Sequence, residues 1–146
     1  MGQILVVEDD SDLAQVLQLT LVRMGKHNVH CITRPAGGQT WQETLLHAVK
    51  TGMNSQPFDV LVMDIELVKY VHEQADGRDL ARALHSTPLE SKPQVIMASG
   101  KVNDPTTHAT LEELLQKRVI VGFMNKPFPS ANVFLQEIAR VIALSA

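Results

Sequence analysis

Two apolar runs end on carboxylates. Glu8, Asp9 and Asp10 follow Ile4–Val7, and Asp64 follows Phe58–Met63. Two more end on other polar groups. Residues 94–98 close on Ser99-Gly100, and Val119–Phe123 leads to Asn125-Lys126-Pro127. Clustered carboxylates repel: a pair at about 4 Å costs roughly 1 kcal/mol in water and about 4 kcal/mol at an effective dielectric near 20. A hard divalent cation offsets that cost. Mg2+ prefers oxygen ligands and takes one or two carboxylates together with phosphate oxygens. An ionised aspartate needs no base to attack phosphorus, only neutralisation of its target's charge, which a metal and a lysine supply. Ser99 adds a hydroxyl donor for a phosphoryl oxygen. Carboxylate, metal, lysine and hydroxyl are together the parts for making an aspartyl phosphate.

These groups cooperate only if the chain brings them to one place. Gln3–Val7 is short, continuous and β-branched, as expected of a strand covered on both faces. Leu13, Val16, Leu17, Leu21 and Met24 recur at helical spacing, and Gly25 follows as a stop. His27–Thr33 predicts a second strand. Thr40-Trp-Gln-Glu43 is a capping-box pattern for a helix with Trp41, Leu45, Ala48 and Val49 on its apolar face, ended by Gly52. Phe58–Asp64 is the predicted third strand. Leu80, Ala81 and Leu84 mark a helix beginning near Asp76-Gly77, and Gln94–Ser99 predicts a fourth strand. Asp104-Pro105 starts a further helix, with Asp as N-cap and Pro at the first helical position. Val119–Phe123 predicts a fifth strand, and Ser130 caps a last helix with Phe134, Leu135, Ile138, Val141 and Ile142 inward. Apolar strands alternating with amphipathic helices imply a parallel sheet with helices on both faces. In such sheets ligands bind beyond the carboxyl ends of the strands, which is where the polar groups above collect.

Composition narrows the class. A chain of 146 residues is long enough for one domain with a real core. Hydrophobic residues make up 45% and charged residues 20%, an ordinary globular balance. A net charge of −3 disfavours nucleic acid as a partner. The single Cys31 forms no internal disulfide, which fits a reducing compartment. No apolar stretch approaches the roughly 20 residues that span a bilayer. No basic segment precedes the first apolar run, so no secretory signal is expected. Val6 stands where an N-myristoylation motif wants Ser or Thr. The six histidines are scattered without metal-ligand spacing.

Four motifs in order, "ILVVEDD", "FDVLVMD", "VIMASG" and "GFMNKPF", resemble the response-regulator receiver domain, the phosphoacceptor module of two-component signalling. The resemblance covers essentially the whole chain. It implies a flavodoxin-like α/β fold, a doubly wound five-stranded parallel sheet in order 2-1-3-4-5 with five helices on two faces, as a single receiver domain over residues 1–146. It implies phosphorylation at Asp64 by a histidine kinase or histidine phosphotransfer protein. Mg2+, with Mn2+ as a substitute, would be held by Asp9, Asp64 and the main-chain carbonyl of Glu66, with Glu8 acting mainly through water. Lys126 would hold the acid cluster and then the phosphoryl group, across a cis Lys126–Pro127 bond. Ser99 would be the switch hydroxyl and Phe123 the switch aromatic. Glu66 and Lys101 would flank the hydrolytic water and tune dephosphorylation, pairing across the mouth of the site or, if separated, leaving Glu66 to orient water. The resemblance further implies a cytoplasmic switch that phosphorylates and dephosphorylates itself but does not turn over substrates. Its output would be binding of a downstream protein, with phosphorylation-dependent homodimerisation left open. No membrane partner or output domain is expected in this chain.

Three positions depart from the family pattern. Val68 stands where receivers carry Pro, the loop Val68–Asp76 is longer than usual, and the segment at "TGMNSQPF" is long. The loop is expected to be mobile without metal and phosphate and to contribute to partner choice. Two other functions compete. Asp64-Ile-Glu66 faintly resembles the acid-x-acid motif of haloacid-dehalogenase-type phosphatases, though that motif belongs at an N-terminal strand and expects Asp as its second acid. A phosphate-independent interaction module would not need the acids, Ser99 and Lys126 together. Singly, each group has a plain structural reading: Glu8-Asp9-Asp10 as a helix N-cap region, Ser99 as a strand-end hydroxyl, and Phe123 and Trp41 as core.

Overall fold

The computed structural model describes residues 2–67 and 75–144. Five strands, β1 (Gln3–Val7), β2 (Asn28–Ile32), β3 (Val60–Asp64), β4 (Gln94–Ser99) and β5 (Gly122–Asn125), form one parallel sheet in order β2-β1-β3-β4-β5. Five helices alternate with them: α1 (Ser11–Leu19), α2 (Trp41–Thr51), α3 (Gly77–Ser86), α4 (Pro105–Gln116) and α5 (Ala131–Leu144). This is the fold that the sequence predicts.

The sheet divides two cores. One face buries Leu5, Leu61 and Met97 against Trp41 and Leu45 of α2, Leu80 and Leu84 of α3, and Leu111 and Leu114 of α4. The other buries Ile4, Val6, Val62 and Ile96 against Leu17, Leu21 and the α5 residues Phe134, Ile138 and Val141. Alternate strand residues point to opposite faces, so continuous apolar runs are what a sheet covered on both sides requires. β3 is central and buried at all of its residues.

Several local devices follow the sequence directly. Asp10 caps α1 by accepting from the N–H groups of Asp12 and Leu13. Thr40 and Glu43 close a reciprocal capping box on α2. Asp104 caps α4 with Pro105 at its first position. The long segment after α2 folds into a tight reversal, with Met53 and Gln56 exchanging main-chain hydrogen bonds at 2.8 and 2.9 Å across Asn54 and Ser55 at positive φ. Gly52 enters that reversal at φ +72°, and a Cβ there would lie 2.3 Å from the Gln56 carbonyl oxygen.

One expectation needs correction. β5 is shifted toward the C-terminus relative to the predicted Val119–Phe123. The N–H groups of Val119 and Ile120 bond back to the Leu114 carbonyl at 2.9 and 3.4 Å, closing the end of α4 after Arg118 at positive φ. Those apolar residues serve the helix end, and pairing of the strand with β4 starts with Ile96 opposite Gly122. Val16 and Met24 recur at helical spacing with Leu13, Leu17 and Leu21, but both are more than half exposed. Val16 lies two residues, or about 200°, from buried Ala14. α1 then continues as a π-helical turn over Thr20–Met24, whose wider winding carries Met24 off the stripe.

Candidate functional site

The register places the chemistry in adjacent rows. Val7 pairs with Met63, so Glu8 stands beside Asp64, and Asp64 pairs in turn with Ala98. Ser99 pairs with Asn125 at the ends of β4 and β5, and the N–H of Lys126 donates to the Ser99 carbonyl at 2.9 Å. Lys126–Pro127 is cis, as expected. Lys126 Nζ donates to Glu8 Oε2 at 2.9 Å and to Asp64 Oδ1 at 2.8 Å, joining residues 118 and 62 positions apart. Glu8, Asp9 and Asp64 each bring a carboxylate oxygen within 4.8 Å of the others, Glu8 and Asp64 buried and Asp9 half-buried. Of the three consecutive acids, Glu8 and Asp9 face the cluster, while Asp10 is the helix cap.

The electrostatics favour an added cation. Burial pushes the Asp64 carboxyl far above the usual range, to about 8. The Glu8 charge and a hydrogen bond with Asp9 push the same way, and Lys126 opposes them. Burial alone would lower the Lys126 ammonium, but Asp64 and Glu8 together hold it above its ordinary value. One ammonium faces three acids, so the fully ionised cluster carries excess negative charge. Burial therefore works against the ionised Asp64 that attack on phosphorus needs, and an added cation would favour it. An all-oxygen donor set of this charge suits a hard dication.

The second tier of predicted residues divides. Ser99 is fully buried at the rim. Its Oγ donates to Glu66 Oε1 and accepts from the Lys101 N–H at 2.9 Å. The expected pairing of Glu66 with Lys101 is absent among the described residues: the Glu66 carboxylate turns to Ser99, and Lys101 meets that hydroxyl only through its main chain. Phe123 shares the row of Val7, Met63 and Met97, so it projects toward the α2–α4 face. There its ring meets His108 of α4 edge-on, with centroids 5.7 Å apart. The loop Val68–Asp76 lies, over residues 68–74, outside the described residues, as does the departure at Val68.

Two residues that sequence reasoning passed over support the site. Gly77 opens α3, its N–H donates to the Ile65 carbonyl at 2.9 Å, and a Cβ on it would lie 2.0 Å from the Asp64 carbonyl oxygen. Only glycine lets the helix start this close to the end of β3. Its signal in the sequence is the Asp-Gly pair before an apolar-periodic run, which by pattern alone marks only a helix start. Arg78 folds back on Asp76 at 2.6 Å. Asp76 and Arg78 line a cleft of about 350 Å3 with Glu66, Lys101 and Thr107.

No protein-family model matches the sequence, and no curated protein matches it. Solved structures do. A sensor protein from Polaromonas sp. JS666 aligns with a TM-score of 0.73 at 22% identity, over 99% of this chain and 98% of that one. A CheY-like response regulator receiver domain from Methylobacillus flagellatus aligns at 0.69 with 19% identity, over 97% and 98%. The BeF3-activated DrrB receiver domain aligns at 0.66 with 19% identity, over 98% of each chain. The chain has the flavodoxin-like fold of response-regulator receiver domains along its length.

Proposed function

We propose that this protein is a phosphoacceptor switch of two-component signalling, with Asp64 as the acceptor. The observation that carries the reading is the Lys126 bridge from the end of β5 to both Glu8 and Asp64 inside the acid cluster. The lysine is placed where an oxygen added to Asp64 would be within its reach.

In the reaction, a carboxylate oxygen of Asp64 forms a bond to phosphorus as the bond from phosphorus to the donor's imidazole nitrogen breaks, and the electron pair leaves with the imidazole. Asp9, Asp64 and the Glu66 carbonyl, with Glu8 acting mainly through water, would hold Mg2+, whose charge, when bound, would offset that of the phosphoryl oxygens. Lys126 needs little movement to pass from Asp64 to the new phosphoryl group. Ser99 is the hydroxyl donor at the next strand end. Phe123, in contact with His108, gives a change at the rim a route to the face of α4, where a protein partner would read it.

The test is labelling by acetyl phosphate with Mg2+. Wild type should take up phosphoryl and Asp64→Asn should not; full labelling of the variant would overturn the assignment. A phosphotransfer panel of histidine kinases and phosphotransfer proteins then identifies the donor. Sustained hydrolysis of a generic phosphate ester would point to a phosphatase instead.

A further inference from the structure

Ser99 Oγ has one proton to donate, and it is committed. The hydroxyl donates to Glu66 Oε1 and is fixed from behind by the Lys101 N–H at 2.9 Å. Glu66 in turn is tied to the acceptor residue, since its own N–H donates to Asp64 Oδ1 at 3.3 Å. Its side chain therefore starts at the end of β3 and crosses to the end of β4. Arg78 feels the Glu66 charge but is not bonded to it. Arg78 is bound to Asp76 through Nε and Nη2 at 3.1 and 2.6 Å, and among the described residues neither Arg78 nor Lys101 forms an ion pair with Glu66. A hydroxyl held this way cannot also donate to an oxygen carried by Asp64.

We infer that Glu66 is a positioning residue that latches the Ser99 hydroxyl in the resting protein, and that a phosphoryl group on Asp64 gains this hydroxyl only by displacing the Glu66 carboxylate. The inference rests on Asp64 being the phosphoacceptor. The latch is built to open. Glu66 is exposed, so its released carboxylate passes into water, while Ser99 stays buried and exchanges one acceptor for another. Opening therefore sets a modest threshold on the activated state. Hydrogen bonds to charged groups lie at the upper end of the usual range, and exposure of Glu66 moderates this one, so its loss should change ligand affinity by roughly tenfold.

The probe is beryllium trifluoride binding in the presence of Mg2+, as a stable mimic of the phosphoryl group, measured on the full chain. Glu66→Ala should tighten binding about tenfold. Glu66→Gln, which keeps an acceptor oxygen but no charge, should fall between Ala and wild type. Removal of a negative charge beside an anion would also tighten binding, so the deciding measurement is the same change in a Ser99→Ala background. There the latch has nothing to hold, and Glu66→Ala should have no effect. Equal tightening in both backgrounds would assign the effect to charge alone and overturn the latch, as would no tightening in the Ser99 protein. A second readout needs no ligand: the Lys101 amide, whose acceptor is Ser99 Oγ, should shift in the NMR spectrum of Glu66→Ala, and an unmoved amide overturns the latch. If wild type neither binds the mimic nor labels, it is the phosphoacceptor reading that fails. The amide then still reports whether Glu66 holds Ser99.

Discussion

Without divalent cations, Asp64 should make the protein less stable as the pH rises. Its carboxyl is almost fully buried and pushed up to about 8, chiefly by burial and then by the Glu8 charge, against the pull of Lys126. In the unfolded chain the same group titrates near pH 3.9. The native state therefore holds an extra proton between roughly pH 4 and pH 8. The stabilisation this represents is fully present below the unfolded value and is lost as the pH rises through the folded one. Each pH unit over which one extra proton is held corresponds to about 1.4 kcal/mol. Part of the effect is shared with Glu8, Asp9 and Lys126, which leaves about 2–5 kcal/mol lost across the range. Asp64→Asn removes the titrating group and its repulsion of Glu8, while Lys126 keeps Glu8 as a partner at 2.9 Å. In EDTA at pH 8 the variant should be the more stable protein by about that 2–5 kcal/mol, with the gap closing toward pH 5. Urea unfolding followed by the fluorescence of Trp41, which is buried in the core, gives both curves. Mg2+ should then restore the wild type, adding about 2.7 kcal/mol at a hundredfold excess over its dissociation constant, and should stabilise the variant less. Parallel pH profiles for the two proteins in EDTA would refute the reasoning, as would a wild type that gains on the variant between pH 5 and pH 8.

Asp9→Ala should weaken Mg2+ binding, read by titration calorimetry, more than Glu8→Ala, because Glu8 is already engaged by Lys126; equal losses would count against that ranking. Gly77→Ala forces a Cβ onto the Asp64 carbonyl, so it should cost about 1–3 kcal/mol in urea unfolding and slow labelling by acetyl phosphate; a neutral substitution would refute the close approach. Burial tends to raise the Asp76 carboxyl, but Arg78 and the helix amides more than offset this and hold it below its usual value. Its stabilisation is thus present above the ordinary aspartate range and lost as the pH falls through the depressed folded value. Asp76→Asn, which keeps a cap but loses the partly exposed ion pair, should cost up to about 1 kcal/mol at pH 7 and nothing in acid, by unfolding at the two pH values.

How far the site was legible follows from what each residue depends on. Glu8, Asp64, Ser99 and Lys126 meet because of register and strand order. Both follow from apolar runs of β length that alternate with amphipathic helices, a pattern open to inspection in the sequence. What failed depended on a side chain's choice among neighbours. Glu66 had a cation and a hydroxyl within reach of the same rim, and composition alone favoured the cation. The hydroxyl prevailed because Ser99 is buried, fixed by the Lys101 amide, and needs an acceptor for its proton, whereas the Lys101 ammonium can be satisfied by water. The shift of the Asp64 carboxyl is hard to read for a related reason: it depends on how deeply β3 is covered, which an apolar run announces only qualitatively. β5 moved because Val119 and Ile120 fit a strand by propensity, yet their N–H groups close α4, and hydrogen bonding of a helix end outranks a weak local preference. Gly77 was missed because a helix that starts against a neighbouring carbonyl differs from any other capped start only by a clash that sequence does not display. The elements and the meeting of their ends were therefore set by patterns repeated along the chain. The working state of the site was set by single contacts, Ser99 with Glu66 and Lys126 with Asp64, and these are the contacts that a phosphoryl group on Asp64 would have to exchange.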